Sequence, residues 1–392
     1  ALVQLARALQ WKEDFPAALE AAREAIEIAE PSGAQAPLGG ALHVRGYVQL
    51  MSGRLEAGEE DLERALAIGR AGGETNRQAL VLHALALRRC WQGEYRASLE
   101  LANEAAQISR DHRLASPLLR SLWNIGVAQA DLGDYDRALA ALSEGLTLAE
   151  KVGDDAMTSR IRNTLGWLRI DCGDFAPGIE LSERSYEETN RSSFGGHGTG
   201  AERRAFIRIN EADAWMAQGD FGSAAQALEE ALHTVQHPPP SRWMTWRYSA
   251  HCYASLAQLA LLRGDPERAR RLADQSLEIA VPTRSRKYES WAWRIKGESA
   301  TARRAWGEAD DALRRALSIA EAIGQPRQTW MSQVATGRLH AARGRREEAL
   351  GHYRAAWTII AGLRAGTQDR DLRAGLESSP LIREVEDLAR PE

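Results

Sequence analysis

His233 and His237 stand four residues apart, a spacing that sets two imidazoles on one helical face, but a metal would want at least a third ligand. None is offered. The nine histidines are scattered, no HExxH spacing occurs, and Pro238-Pro239-Pro240 follows directly, so the pair reads as a solvated helix end. Cys90, Cys172 and Cys252 form no CxxC pair and are odd in number, which argues against a disulfide framework or zinc site and for small core residues in a reducing compartment. No serine lies in a Gly-x-Ser-x-Gly elbow. The stretch Arg191-Ser192-Ser193-Phe194-Gly195-Gly196-His197-Gly198-Thr199-Gly200 lacks a Gly-Lys-Ser/Thr ending and follows no strand, so it is expected to be a mobile surface loop and no phosphate cradle. No catalytic centre, cofactor or metal is expected.

The elements that must position any binding residues emerge from a repeat. Gly93-Glu94-Tyr95, Gly133-Asp134-Tyr135, Gly173-Asp174-Phe175 and Gly219-Asp220-Phe221 share one pattern, and degenerate copies stand at Glu13, Gly53, Gly264, Arg304 and Gly344. Successive spacings are 40, 40, 40, 40, 46, 45, 40 and 40 residues, so nine units cover nearly the whole chain. Seven residues before each turn, and five and twelve after it, every unit carries Gly, Ala or Ser, as at Gly46, Gly58 and Ala65 or Gly166, Gly178 and Ser185. Small residues there let two helix backbones cross closely. Leu139, Leu142, Leu146 and Ala149 keep helical spacing, the turn Gly reverses the chain, and an Asp after it caps the second helix. Each unit is therefore a helical hairpin.

Asn124-Ile125-Gly126, Ala128, Gly133-Asp134-Tyr135, Ala138-Leu139, Leu142 and Leu146 resemble the tetratricopeptide repeat consensus. That repeat is usually ~34 residues long, whereas the unit here is 40 and its second helix runs on through Leu148-Ala149-Glu150-Lys151-Val152-Gly153-Asp154. This is similar to the long-helix arms of bacterial signal-transduction ATPases, the maltose-regulon activator among them, and of nucleotide cyclases. The resemblance implies an all-α, right-handed α-solenoid of about nine hairpins. It also implies a concave groove lined by the first helix of each hairpin, at the places ten, six, three and two residues before the turn. Those places hold His43, Tyr47, His83, Trp91, Trp123, Asp131, Asn163, Trp167, Asp171, Asp213 and Arg294, with Met51, Ile209 and Met216, and Arg120, Arg160 and Trp291 join them from thirteen residues before the turn. Trp and Arg dominate recognition surfaces because they bury area while keeping directional donors. Asp131 and Asp171 hold one place in adjacent units and would make an acidic strip for an Arg- or hydroxyl-bearing ligand. The Lys and Asn that clamp chaperone carboxylates in this family are replaced by His43, Tyr47 and His83, so a chaperone adaptor is not expected.

Residues 1–189 form an N-terminal sub-array, 190–202 a Gly/Ser-rich loop, 203–366 a C-terminal sub-array with a Pro-rich connection at 237–242, and 367–392 a cap. Arg242, Trp243, Trp246, Arg247 and Tyr248 read as a binding knob or as the start of the next hairpin's core. In the cap, Leu372, Leu376, Leu381, Ile382, Val385 and Leu388 make two short amphipathic segments for the last hairpin's open face. The first unit begins inside its first helix, which points to covalently attached N-terminal domains.

A net charge of −4, from 54 acidic and 50 basic residues, implies no bulk attraction to nucleic acid or membrane. Only Lys12, Lys151, Lys287 and Lys296 are lysines, an arginine bias fitting a bacterial source. No apolar run approaches the ~20 residues of a membrane span, and the expected location is cytoplasmic. The expected function is a sensing or interaction arm of a larger signalling protein that holds a protein segment, peptide or small polar ligand in its groove. The alternative is an assembly scaffold whose groove stays empty.

Overall fold

The computed structural model describes residues 1–12, 14–191, 199–238 and 244–390. It is built of helices, with no strand among the described residues. In chain order they are α1 (Leu2–Trp11), α2 (Phe15–Ser32), α3 (Gln35–Met51), α4 (Leu55–Ala71), α5 (Thr75–Trp91), α6 (Tyr95–Asp111) and α7 (Ala115–Asp131). Next come α8 (Tyr135–Val152), α9 (Asp155–Asp171), α10 (Phe175–Arg191), α11 (Thr199–Gln218), α12 (Phe221–Gln236), α13 (Thr245–Leu262) and α14 (Pro266–Ala280). The last are α15 (Arg286–Ala302), α16 (Trp306–Ile323), α17 (Pro326–Ala342), α18 (Arg346–Gly366), α19 (Arg370–Ser378) and α20 (Pro380–Ala389). The first eighteen pair as nine hairpins, odd helix with the following even one, and each pair packs on the next. The chain is an all-α solenoid, as the repeat predicts.

The turn chemistry follows the sequence. Gly53, Gly93, Gly133, Gly173, Gly219, Gly264 and Gly344 all have φ between 75° and 84°, the left-handed region that glycine enters without a Cβ penalty. Arg304 takes the same place at φ 59°. Asp134, Asp220 and Asp265 each accept a backbone N–H of the following helix. Asp174 instead pairs with Arg169. Glu13 lies outside the described residues; Asp14 beside it caps α2.

The small-residue seams are the hairpin crossings. A Cβ on Gly46 would lie 2.8 Å from the Gly58 carbonyl, and one on Gly58 would lie 2.8 Å from that of Gly46. In the third unit Ser98 donates its hydroxyl to the Ala86 carbonyl across the same crossing at 2.8 Å. At the other end of the hairpin Ser276 donates to Ala250 and Ser290 to Ala316, at 2.9 and 2.8 Å.

Small steps between hairpins accumulate until the solenoid passes one full superhelical turn and lies on itself. The turn glycines of units two to five face the chain five units ahead: Gly53 meets Trp246, Gly93 meets Arg286 and Ile323, Gly133 meets Pro326 and Leu363, and Gly173 meets Gly375 and Ser379. Met244 N–H and Trp246 Nε1–H both donate to the Met51 carbonyl, at 2.9 and 3.2 Å. Asp136 accepts the N–H groups of Gln368 and Asp369 at 2.6 and 2.8 Å. One apolar cluster accordingly runs from Ala6 to Val385.

α19 and α20 bury Leu372, Leu376, Ile382 and Val385. They pack on α18, as a cap on the last hairpin would, and α20 also reaches α11. The expected surface loop and Pro-rich connection fall largely on residues 192–198 and 239–243, outside the described residues. Arg242 and Trp243 of the expected knob lie there too. Trp246 and Tyr248 belong to the packed interior: Trp246 meets Trp91 edge-on at 5.3 Å, and Tyr248 is buried with its hydroxyl 3.3 Å from Glu202.

Candidate binding cavity

Because the second turn of the coil lies on the first, the expected concave groove is lined from both turns. The odd-numbered helices line two cavities, of about 430 and about 380 Å³. Such volumes suit small-molecule or short-peptide occupancy. Trp91, Trp123, Asp131, Asn163, Trp167, Asp171, Asp213, Trp291 and Arg294 line the larger one. His43, Tyr47, His83 and Arg120 line the smaller, and Arg160 faces both. Each of the fourteen groove positions thus faces one of these two spaces. Of the further groove places, Met216 joins the larger cavity, whereas Met51 and Ile209 are buried in the core.

The tryptophans are fixed rather than free. Trp123 Nε1–H donates to Thr164 Oγ1 at 2.8 Å with the Arg160 guanidinium 5.2 Å from its ring centre, and Lys287 Nζ lies 4.5 Å from the ring of Trp167. Asp131 and Asp171 are engaged from within the chain instead of forming a vacant strip. Lys287 Nζ donates to Asp131 at 2.7 Å, Gln325 Nε2 adds a 3.3 Å contact, and Arg327 donates to Asp171 at 2.7 Å. Burial disfavours the Lys287 ammonium, yet the carboxylates of Asp131 and Asp171 outweigh it and hold its pKa above the ordinary lysine value. Burial pushes Asp171 up against the pull of Arg327.

Other charges on the wall are also matched. Asp213 accepts His251 Nε2–H at 2.8 Å and Ser255 at 2.6 Å, Arg294 meets Glu298 at 2.5 Å, and Arg338 meets Glu384 of the cap at 2.7 Å. Several buried polar atoms are not. Among the described residues, Asn210 Oδ1, His251 Nδ1, Trp291 Nε1, Arg294 Nε and Gln328 Oε1 have no hydrogen-bond partner, and all five residues line the larger cavity. An unmet buried donor or acceptor costs about 1–3 kcal/mol, so these five atoms are a local cost to the fold around the larger cavity. The Cys90 thiol is pushed up to about 12 by burial, and Cys172 and Cys252 rise for the same reason, which leaves the three thiols inert as nucleophiles.

In the smaller cavity burial, with Arg7, Arg77 and Arg120 nearby, lowers His43 to about 3. His83 is lowered well below its ordinary value by burial and by Arg120 and Arg160. Both imidazoles are neutral at physiological pH.

The groove offsets missed Arg247, His251, Tyr288, Arg327 and Gln328, which line the larger cavity from the starts of α13, α15 and α17. A signal was present: Arg247, Lys287 and Arg327 all stand seventeen residues before their turn, spaced by 40. Only the second turn of the coil gives that row a partner, so a single unit offers no reason to look there. His233 and His237 sit at the end of α12 with rings 4.9 Å apart, and no group of three metal-binding side chains occurs among the described residues. No described helix is long and apolar enough to cross a membrane.

Family models described as tetratricopeptide repeat match residues 119–152 and 249–281, on two separate hairpins of the nine. The chain is a tetratricopeptide-repeat array. The apo form of the quorum sensor NprR from B. thuringiensis superposes with a TM-score of 0.53 at 13% identity, over 91% of this chain and 99% of that one, a likeness of fold. BtubC from P. vanneervenii matches at TM-score 0.41 and 20% identity, over 60% of this chain and 92% of its own. A signal transduction ATPase with numerous domains and a tetratricopeptide repeat sensor, from Pyrococcus horikoshii, matches at 0.46 and 12%, over 95% of this chain and 55% of its own. No curated protein matches. Arrays of this kind serve protein interaction or ligand sensing, generally as non-catalytic modules.

Proposed function

We propose that this array is the non-catalytic ligand-sensing arm of a larger bacterial signalling protein, and that its ligand is a short peptide or small amide-bearing molecule held in the larger cavity. The observation that carries the reading is the set of partnerless polar atoms in residues of one wall: Asn210 and Gln328 carry carbonyl oxygens, Trp291 and Arg294 carry N–H groups, and the four atoms are buried. A peptide's alternating N–H and C=O groups satisfy such a wall, while Leu87, Val127, Phe206 and Met331 around it take apolar side chains. Because the cavity exists only while the second superhelical turn rests on the first, an occupant stabilises the closed coil, and that is how binding becomes a signal. The likeness in fold to a quorum sensor is in keeping with this role.

The test is a thermal-shift screen of the chain against short N-acetylated peptides, followed by calorimetry on the hits. Asn210→Ala and Trp291→Phe should each weaken binding about tenfold, the scale of one lost buried hydrogen bond, with helicity unchanged. Hits that bind the variants as tightly as the parent chain, or a screen in which no peptide stabilises the protein, would remove the cavity from the account.

A further inference from the structure

Arg247, Lys287 and Arg327 form a row, one per unit, and each faces the residue 156 positions earlier in the first turn of the coil. Lys287 meets Asp131 and Arg327 meets Asp171, both at 2.7 Å. At the third place the earlier residue is Trp91, and the Arg247 guanidinium lies over its ring, 5.5 Å from the centre, and 5.4 Å from that of Tyr288. Arg247 is only 7% exposed. Among the described residues it makes no ion pair or hydrogen bond through its side chain, and the neighbouring sequence at 239–243 contains no acidic residue. The carboxylates of Asp131, Asp171, Asp213, Glu298 and Glu384 are already held by other partners, and Glu202 accepts from Thr245 and Tyr248. Contact with aromatic rings offsets only part of what burying a guanidinium loses in hydration.

We infer that Arg247 is the receptor for a carboxylate carried by the ligand. The inference rests on the proposed occupancy of the larger cavity and narrows the ligand to an organic acid that also bears amide groups, such as an N-acylated di- or tripeptide with a free C-terminus. The guanidinium donates two parallel N–H groups to the planar carboxylate, which supplies from the cavity the charge that Asp131 and Asp171 supply in the two adjoining clasps. The array thereby borrows from its ligand the one acid missing from the row.

The experiment compares N-acetylated tripeptides in matched free-acid and C-terminal amide forms, together with inorganic phosphate, by calorimetry on the full chain. The free acids should bind at least tenfold more tightly than their amides. Arg247→Gln should bring that ratio to about one, and Arg247→Lys should keep part of it, whereas Asn210→Ala should weaken both forms alike and preserve it. The melting temperature supplies a readout independent of ligand: without ligand, Arg247→Gln should melt no lower than the parent chain, because a cation lacking a partner is removed. A lower melting temperature would mark Arg247 as a packing residue and overturn the inference. It is also overturned by acids and amides binding equally, by a preference that survives Arg247→Gln, or by phosphate competing as well as the acids. If neither form binds, the occupancy reading falls as well, whereas equal binding of acid and amide that is lost in Asn210→Ala leaves that reading standing and removes only Arg247's part.

Discussion

Asp131 and Lys287 are 156 residues apart in sequence and 2.7 Å apart in space. One unit further on, Asp171 and Arg327 repeat the relationship at the same separation and distance. The repeat of the sequence therefore produces a repeat of its tertiary contacts: when one residue of the first turn meets one of the second, the next pair in register must also meet.

These clasps join the two turns, and the Lys287–Asp131 pair is the more deeply buried of the two, so breaking it leaves an unpaired charge. Lys287→Met and Asp131→Asn should each cost about 3–5 kcal/mol, and the double variant should recover much of that loss. Urea unfolding of the four proteins measures the coupling, and a value below about 0.5 kcal/mol would mean that the pair does not interact. The pH dependence has a definite sign. Because the folded-state pKa of Lys287 is raised, its contribution is complete below the ordinary lysine value of 10.5 and is lost as pH rises through the higher folded value. Removing Lys287 should flatten the alkaline limb of the stability profile.

The opposite limb belongs to the histidines of the smaller cavity. With His43 lowered to about 3, the unfolded chain takes up a proton below its ordinary value of 6.5 that the folded chain refuses. Stability from the neutral imidazole is intact above pH 6.5 and falls by about 1.4 kcal/mol per pH unit until the folded value is reached. Melting curves of His43→Gln between pH 6.5 and 4 should be flatter than those of the parent chain; parallel profiles would show that His43 is solvated.

Glycines within the helices divide by what surrounds them. A Cβ on Gly166 would fall 2.7 Å from the Gly178 carbonyl and 2.8 Å from Ser182 Oγ, whereas one on Gly351 would meet nothing within 4 Å. Gly166→Ala should destabilise by about 1–3 kcal/mol through overpacking. Gly351→Ala should stabilise by about 0.5–1 kcal/mol through helix propensity alone. Denaturant midpoints separate the two, and a neutral Gly166→Ala would mean that the helices do not cross there.

Much of this protein is written locally. Turn glycines, small-residue seams and helical spacing recur within 40 residues, and each acts between helices adjacent in sequence, so the nine hairpins and the inward face of their first helices were legible without coordinates. For the same reason the fourteen positions taken from repeat offsets all line the interior. The tertiary structure alone decided that the second turn of the coil packs against the first and shares the lining of the groove. Curvature is a small angle per hairpin summed over five units, and no single unit encodes whether the sum brings Lys287 onto Asp131 or leaves both in solvent. Arg247 shows the consequence: its row of cations is visible at 40-residue spacing, but that its counterpart is Trp91 and not an acid depends on a register that exists only once the coil has closed.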